Sequence, residues 1–314
     1  MNPYYKDYAE YLSDRFPGIK VQKISVNAGF SCPNRDGTIG TGGCIYCDNT
    51  TFTPGYCFSS ESVTQQLEAG KRFFFKKYPA MKYLAYFQSY SNTFIKSSSP
   101  GNVGNKTGLE RLESLYSEAL GVEDVVGLVI GSRPDCFPDD VVELLKRLNL
   151  RKPVFVELGA ETSHDSTLKI INRRHSWQQT CDTVCRLAQA GISVGLHLIF
   201  GLPGETEEMM FSTIRRVVSL PIDSIKMHHL QVIQGTPLQS LLEDGSMNID
   251  TFTLNGYLDL CEKIVGMVPR KIAIERFLAT SPPDKVVAPK WGIKNYEFTN
   301  LLLKKLKNKT IKET

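Results

Sequence analysis

The sequence has 314 residues, of which 41% are hydrophobic, enough to bury a large core in one barrel-sized domain or in two smaller ones. Its N-terminus (MNPYYKDYAE) lacks the charged start and apolar run of a secretory signal, and no stretch approaches the ~18 apolar residues of a membrane span. We therefore expect a cytoplasmic protein without a membrane partner. The net charge of +4 suits an anionic partner without demanding one.

Short β-branched runs alternate with amphipathic helical patterns along most of the chain. Strands are predicted over 23–26, 83–88, 125–132, 154–158, 192–200, 224–232 and 271–276, and helices over 61–77, 109–120, 138–148, 177–189 and 205–219. Gly121 and Gly191 stand where two of these helices should stop. The repeated units predict an α/β fold, a complete or partial (β/α) TIM-like barrel, with an open doubly wound sheet as the alternative.

The barrel is predicted to span 23–280, between an N-terminal extension over 1–22 and a C-terminal extension over 281–314. The C-terminal extension carries a basic helix with Lys304, Lys305, Lys307, Lys309 and Lys312. The polar, glycine-rich stretch 96–108 (KSSSPGNVGNKTG) is predicted to be a surface loop that could cover the mouth of the barrel.

Half of the eight cysteines lie between 31 and 57 in a segment crowded with glycine. Cys44 and Cys47 form a C-x2-C pair, and Cys32 lies twelve residues upstream, a spacing typical of a metal ion or an iron–sulfur cluster. A zinc site completed by Cys57 is the alternative, because four thiolates close a tetrahedron whereas three leave one iron of a [4Fe–4S] cube open. The remaining four read as ordinary buried or half-buried thiols: Cys136, Cys181, Cys185 and Cys261.

In a barrel, side chains at the carboxyl ends of the strands converge on one face, so polar residues there are candidates for a site. Such residues follow or end the predicted strands: Gln88, Arg133, Asp135, Glu157, His197, Lys226, His228 and Glu275. Strand alternation turns Glu157, His197 and Lys226 into the barrel, because their neighbours are apolar and must face the helices. A barrel interior also contains polar residues that only hold the fold, and for His197 or Lys226 alone that reading is equally good.

The three cysteines and the barrel together resemble the radical SAM superfamily, here with the spacing C-x11-C-x2-C in place of the common C-x3-C-x2-C. A series of motifs in this order resembles the YhcC/YtqA-like branch, which is related to the radical SAM domain of the elongator catalytic subunit: KISVNAGFSCPNRDGTIGTGGCIYC, YFQSYSNT, GSRPDC, VELGAET, INRRHS, LIFGLPGET and KMHHLQVIQGT. Ala160-Glu161 stands where this family usually has Leu-Gln, and Arg174 where it usually has Gly.

The resemblance implies that Cys32, Cys44 and Cys47 hold a [4Fe–4S] cluster and that S-adenosylmethionine (SAM) binds its open iron. In the same way it assigns five residues to SAM: Gln88 to the methionyl amino group, the Glu157 carboxylate, Gly201 and Gly204 beside the adenine, and His228. Reductive cleavage of SAM would then give a 5′-deoxyadenosyl radical. Such an enzyme also needs an electron donor such as flavodoxin or ferredoxin.

The resemblance further suggests a tRNA substrate modified on the side chain of the wobble uridine. Candidate substrate contacts are Arg133, Arg173, Arg174, His175, His197 and Lys226. Two other classes stay open: a radical enzyme on a small metabolite, similar to oxygen-independent coproporphyrinogen oxidase, and a non-enzymatic RNA-binding protein stabilised by zinc.

Overall fold

A computed structural model describes residues 2–75, 80–94 and 108–313. Seven of its strands form one parallel sheet in the order β1-β2-β3-β4-β5-β6-β8, and two short strands, β7 and β9, pair antiparallel beside it. The strands are β1 (Val21–Val26), β2 (Lys82–Phe87), β3 (Val125–Ser132), β4 (Val154–Glu161), β5 (Ser193–Phe200), β6 (Ser224–His229), β7 (Val232–Ile233), β8 (Ala273–Arg276) and β9 (Val286–Ala288). The sheet curls into a half-barrel, which confirms the partial-barrel prediction against the open doubly wound sheet.

The described residues also form α-helices that follow most of the strands, and most of these helices cover the outer face of the sheet. They are α1 (Tyr8–Arg15), α2 (Val63–Phe75), α3 (Gly108–Gly121), α4 (Asp139–Asn149), α5 (Asp165–Ile170), α6 (Trp177–Gln189), α7 (Glu207–Val218), α8 (Pro237–Glu243), α9 (Leu254–Met267) and α10 (Asn295–Glu313). Hydroxyl side chains start several of them by accepting a backbone N–H of the first turn: Ser176, Thr206, Thr236 and Thr253. The observed bounds of β3 and α6 equal the predicted ones.

Alternation along the strands separates the helix-facing core from the barrel interior. On β4, Val154, Val156 and Leu158 belong to the large core shared with the outer helices, whereas Phe155 lies in a separate inner cluster. Glu157, on the same face as Phe155, therefore points into the barrel, as the pattern predicts.

The first helix fills the amino-terminal end of the barrel interior. Tyr11 and Phe16 set their rings 6.2 and 6.3 Å from the ring of Phe155. Arg15, at the end of α1, pairs with Asp223 at 2.8 Å, just before β6 begins. The sequence does not reveal α1, because its eight residues are too few for a periodicity argument.

The predicted strand over 224–232 is instead two strands. The backbone N–H of Leu230 still donates to the carbonyl of Phe200 at 2.8 Å, but β6 ends at His229, and Leu230 and Gln231 lie outside any strand. The chain resumes at Val232 as β7, which pairs with β9 rather than with the main sheet. The elements α8, α9 and β9 were also not foreseen in the pattern.

The basic helix predicted near the C-terminus is α10. Its residue Lys305 pairs with Asp259 and Glu262 of α9 at 2.6 and 3.4 Å, so part of its charge is compensated locally. The domain limits at 22 and 280 stay a prediction, and of the predicted loop 96–108 all but Gly108 lies outside the described residues. Across the part of the chain that the structure describes, no helix is long and apolar enough to cross a membrane.

Candidate active site

One cavity opens at the carboxyl ends of the strands. All three cysteines of the predicted motif line it, together with Gln88 after β2 and Arg133 after β3. Further lining residues come from every later strand of the sheet, including Glu157, Glu161, His197, His228 and Arg276, and from the turn that carries Arg173. The fold thus gathers at one place most of the polar residues that the sequence puts at strand ends.

Backbone hydrogen bonds and the side chain of Arg35 stabilise the loop that carries Cys32, Cys44 and Cys47. The carbonyl of Cys32 accepts the N–H groups of Arg35 and Asp36 at 2.8 and 3.1 Å, and the carbonyl of Cys47 accepts the guanidinium of Arg35. At Gly43, with φ of +80°, an added Cβ would lie 2.7 Å from Nε of Arg35. This glycine therefore leaves room for an arginine side chain beside the thiols.

The turn between α5 and α6 packs against this loop through Arg173. Its Nη1 donates to Sγ of Cys44 at 3.6 Å, and its Nη2 donates to the carbonyl of Gly159 at 2.6 Å and pairs with Glu161 at 3.2 Å. Nε donates to Nε2 of His175 at 3.0 Å. Burial and the adjacent Arg173 lower the pKa of His175 to about 3, so the imidazole is neutral and can accept this bond.

Two asparagines join the same turn to the loop. Asn34 donates to the carbonyl of Asn172 at 2.6 Å and to Sγ of Cys44 at 3.8 Å, while Asn172 donates to the carbonyl of Gly43 at 2.7 Å. Cys44 therefore has two N–H donors directed at its sulfur, the environment expected of a thiolate ligand.

Cys57 is held elsewhere. Its Sγ lies 3.0 Å from the carbonyl of Ser25, and burial raises the pKa of its thiol to about 12. It does not line the cavity with the other three thiols. Within residues 2–75, 80–94 and 108–313, no group of three or more His, Cys, Asp or Glu side chains is arranged to hold a single metal ion.

At the cavity floor lies a buried ion network centred on Glu157. Lys23 of β1 pairs with both Glu157 and Glu275, and Lys226 of β6 lies 3.0 Å from each of the same carboxylates. Oε2 of Glu157 also contacts the hydroxyl of Tyr86 at 2.7 Å. Although burial acts in the opposite direction, Lys226 and Lys23 hold the pKa of Glu157 well below its usual range.

The remaining residues assigned to SAM are divided between the cavity and its surroundings. Gln88 lines the cavity and accepts a bond from the Ser25 hydroxyl at 3.1 Å; His228 lines it next to His197, with ring centroids 5.6 Å apart. Gly201 and Gly204 have φ of +84° and +78°, but neither is among the described residues that line the cavity. The open side of Gly201 is covered by the ring of Phe252.

The residues assigned to substrate also differ in exposure. Arg133 is buried and forms a two-pronged ion pair with Asp135 at 2.8 and 2.9 Å, and His175 is buried behind Arg173. Arg174 is exposed and has φ of +60°, a left-handed conformation that accounts for the glycine usual at this position in the family it resembles.

His197 and Lys226 belong to the Glu157 network. His197 bonds to Oε2 of Glu157 at 2.6 Å and lines the cavity as well. Strand alternation predicts that His197 and Lys226 point into the barrel, but it does not predict that both contact the Glu157 carboxylate.

Several site residues were not singled out from the sequence: Lys23, Asn34, Arg35, Tyr86 and Arg276. Alternation along β1 could have found Lys23, because Ile24 and Val26 are buried against the helices and leave Lys23 and Ser25 on the inner face. The positions of Asn34 and Arg35 in the sequence do not indicate that their side chains contact Cys44 and Cys47.

Comparison with known proteins gives consistent matches along the chain. Residues 35–217 match the Radical SAM superfamily and residues 222–308 match the Radical SAM C-terminal domain. YtqA of Bacillus subtilis is 33% identical over 299 residues, covering 95% of this chain and 88% of YtqA. YhcC of Escherichia coli is 35% identical over 275 residues, covering 87% of this chain and 83% of YhcC.

More distant matches lead to larger proteins. A tRNA uridine(34) acetyltransferase of Methanocaldococcus infernus is 26% identical over 228 residues, covering 71% of this chain but 41% of that protein. The structure of the archaeal Elp3 of Methanocaldococcus infernus superposes with a TM-score of 0.67 at 17% identity, covering 93% of this chain and 64% of that one. This structural match is a likeness of fold.

Proposed function

Because this chain belongs to the radical SAM superfamily and to its YhcC/YtqA-like branch, we propose that it applies the chemistry of that superfamily to the wobble uridine of tRNA. The chain is a radical SAM enzyme, and its cofactors are a [4Fe–4S] cluster and SAM. When bound, these cofactors supply a 5′-deoxyadenosyl radical that abstracts hydrogen from the substrate.

Cys32, Cys44 and Cys47 are the proposed cluster ligands. The donor set fits the group, because the three thiols line one cavity and Arg173 and Asn34 direct N–H groups at Sγ of Cys44. Burial raises the pKa of the Cys47 thiol to about 11 although Arg35 and Arg173 act in the opposite direction, so its proton would be released when the cluster binds. Cys57, bonded to the Ser25 carbonyl, is not included in this set.

For SAM, the proposal relies on Gln88 and His228, whose side chains line the cavity beyond the cysteines. Glu157 is fully engaged by Lys23, Lys226 and Tyr86, so we assign it the role of fixing His197 at the cavity floor. A closed floor of this kind keeps water from a reactive intermediate.

The tRNA substrate is supported by one observation above all: a relative that matches most of this chain is named a tRNA uridine(34) acetyltransferase. The net charge of +4 is compatible with a polyanionic partner. A tRNA substrate places the enzyme in the cytoplasm, where an electron donor of the flavodoxin or ferredoxin type would reduce it.

The test is to delete the gene in its host and compare the nucleosides of total tRNA by mass spectrometry. We expect one modified uridine to disappear, to return with the wild-type gene, and not to return with the Cys47→Ser variant, which lacks a cluster ligand. An unchanged nucleoside profile would reject the tRNA substrate, and a wild-type enzyme that still cleaves SAM would then be assigned to a small metabolite.

A further inference from the structure

A register shift near the end of β8 directs an additional charged side chain into the cavity. Ala273 and Ile274 pair with Ser224 and Ile225, but the next pair is Arg276 with Lys226, so one residue of β8 is skipped. Such an irregularity changes the direction of the side chains that follow it. Glu275 consequently reaches the buried ion network while Arg276, the very next residue, lines the cavity.

Among the residues that the structure describes, no carboxylate neutralises Arg276. The adjacent Glu275 is already paired with Lys23 and Lys226 at 2.7 and 3.0 Å, and none of the ion pairs among the described residues includes Arg276. By contrast, Arg133 and Arg173 in the same cavity pair with Asp135 and Glu161.

The contacts that Arg276 does make are long. Its Nη1 lies 3.4 Å from the hydroxyl of Thr280, and its Nη2 lies 3.4 Å from both ring nitrogens of His228. Nε is buried and has no hydrogen-bond partner within residues 2–75, 80–94 and 108–313. Burial and the nearby Arg276 lower the pKa of His228 well below its usual range, so this neighbour is neutral. A buried guanidinium N–H without an acceptor costs free energy, so Arg276 is incompletely satisfied by the described residues around it.

The surroundings of Arg276 form a corner of the cavity distinct from the cysteine loop. Gln231, Thr280 and Ser281 line it, and the Ser281 hydroxyl lies 2.9 Å from Oε1 of Gln231. No hydrogen bond among the described residues connects Arg276 to the cysteine loop, which is contacted instead by Arg35 and by Arg173 of the neighbouring turn. A fixed guanidinium flanked by hydroxyl groups is the chemistry that binds phosphate or carboxylate oxygens.

We propose that Arg276 binds an oxyanion of the substrate, a backbone phosphate of the RNA next to the reacting nucleoside. This assignment rests on the proposed tRNA function for the identity of the anion. The same chemistry could serve the carboxylate of SAM, because Nη2 of Arg276 lies 3.4 Å from the ring nitrogens of His228, which is proposed to bind SAM. Arg276 itself lies among residues of β6 and the segment after β8, apart from the thiols. The experiment therefore measures both ligands.

The test uses the full chain with its cluster reconstituted, and an anticodon stem-loop RNA whose affinity is measured over a range of KCl concentrations. We expect Arg276→Gln to reduce the slope of log affinity against log salt by about 0.7 to 0.9, the contribution of one phosphate contact. Arg276→Lys should keep the slope, because it keeps the charge. Arg147→Gln, which removes an exposed arginine on α4, is the matched control and should leave the slope unchanged.

Affinity for SAM, measured on the same variants, should remain that of the wild type. A slope equal to that of the wild type in Arg276→Gln, or a loss of SAM affinity in that variant, would overturn the proposal. If the wild type bound RNA without salt dependence, the tRNA function itself would be rejected. In that case, thermal unfolding with inorganic pyrophosphate would test the anion site by itself. If pyrophosphate raises the unfolding temperature of the wild type but not of Arg276→Gln, the anion site is supported. If it stabilises both proteins equally, the anion site is rejected.

Discussion

A buried arginine is the residue that most directly affects the cysteine loop. Arg173 is 8% exposed and divides its five N–H groups among Cys44, Gly159, Glu161 and His175. It can reach this position only because residue 159 is glycine, since an added Cβ would lie 2.5 Å from Nη2. The side chain thus brings a fixed positive charge to one of the three proposed ligand sulfurs.

We expect Arg173→Met to lower the midpoint reduction potential of the cluster. Removing a cation and a hydrogen bond from Sγ of Cys44 destabilises the reduced, more negative state, and a tenfold change in the one-electron equilibrium corresponds to about 59 mV. The measurement is an EPR-monitored redox titration of the reconstituted protein. Gly159→Ala should shift the potential in the same direction, because it displaces Arg173 without removing its charge.

Two variants control this experiment. Arg174→Met removes the neighbouring exposed arginine, which does not contact a sulfur, and should leave the potential unchanged. Cys57→Ser should retain the full iron content, since its thiol lies at the Ser25 carbonyl. An Arg173→Met protein with full iron content and the wild-type potential would contradict the role of Arg173.

How much of the site could be predicted depends on whether a residue lies on a regular strand. Alternation along β4, β5 and β6 correctly turned Glu157, His197 and Lys226 inward, because a period of two needs only the local sequence. The position of Arg173 could not be predicted in this way. It depends on where an irregular turn meets a loop more than a hundred residues earlier in the chain, and local pattern carries no such information.

At the scale of elements, α1 is an internal plug rather than an outer helix. Its Tyr11 and the following Phe16 pack with Phe155 in the inner cluster that also includes Leu84 and Val129. The strand–helix repeat could be predicted because each outer helix carries a long apolar stripe, whereas α1 has eight residues and no repeat partner. The sequence of a short helix that packs inside a barrel lacks a repeated apolar stripe and therefore resembles that of a loop.

Phe155→Ala should destabilise the protein by about 3–5 kcal/mol, because it removes the ring on which α1 rests and leaves a cavity. Denaturant unfolding measures the loss, and hydrogen exchange should show α1 opening more readily than α6. Phe73→Ala, at a ring that is 69% exposed on α2, is the control and should cost much less. Equal losses in both variants would show that the inner cluster does not hold α1.

At the scale of the molecule, a network of two carboxylates and two lysines joins the strands at both edges of the sheet. Glu157 of β4 lies between Lys23 of β1 and Lys226 of β6, and the same lysines bind Glu275 of β8. Lys23 and Glu275 are 252 residues apart in sequence and stand on the two edge strands, so their contact at 2.7 Å spans the opening of the half-barrel. The network therefore holds the two edge strands of the half-barrel together.

Glu157→Gln should lower the free energy of unfolding by about 3–5 kcal/mol at neutral pH, because two buried ammonium groups lose a shared counter-charge. Since the pKa of Glu157 is lowered in the folded state, its contribution is complete above the unfolded value near 4.5 and is lost as the pH falls through the folded value. The difference between wild type and variant should shrink in acid. Glu143→Gln, at an exposed position on α4, is the control, and a pH-independent difference for Glu157→Gln would contradict the charge pairing.

The pairing of the first residues with the last strand of the sheet has a consequence for synthesis. The carbonyl of Lys6 accepts the N–H of Ile274 at 2.9 Å, and Arg270 donates to the carbonyl of Asn2, 268 residues earlier. At ordinary translation rates the N-terminal segment leaves the ribosome roughly 15 to 50 s before β8 is made. Until then this segment and the apolar side of α1 lack their final partners, and contacts of such long range form slowly. The nascent chain, rather than the finished enzyme, is therefore the form that most needs a chaperone.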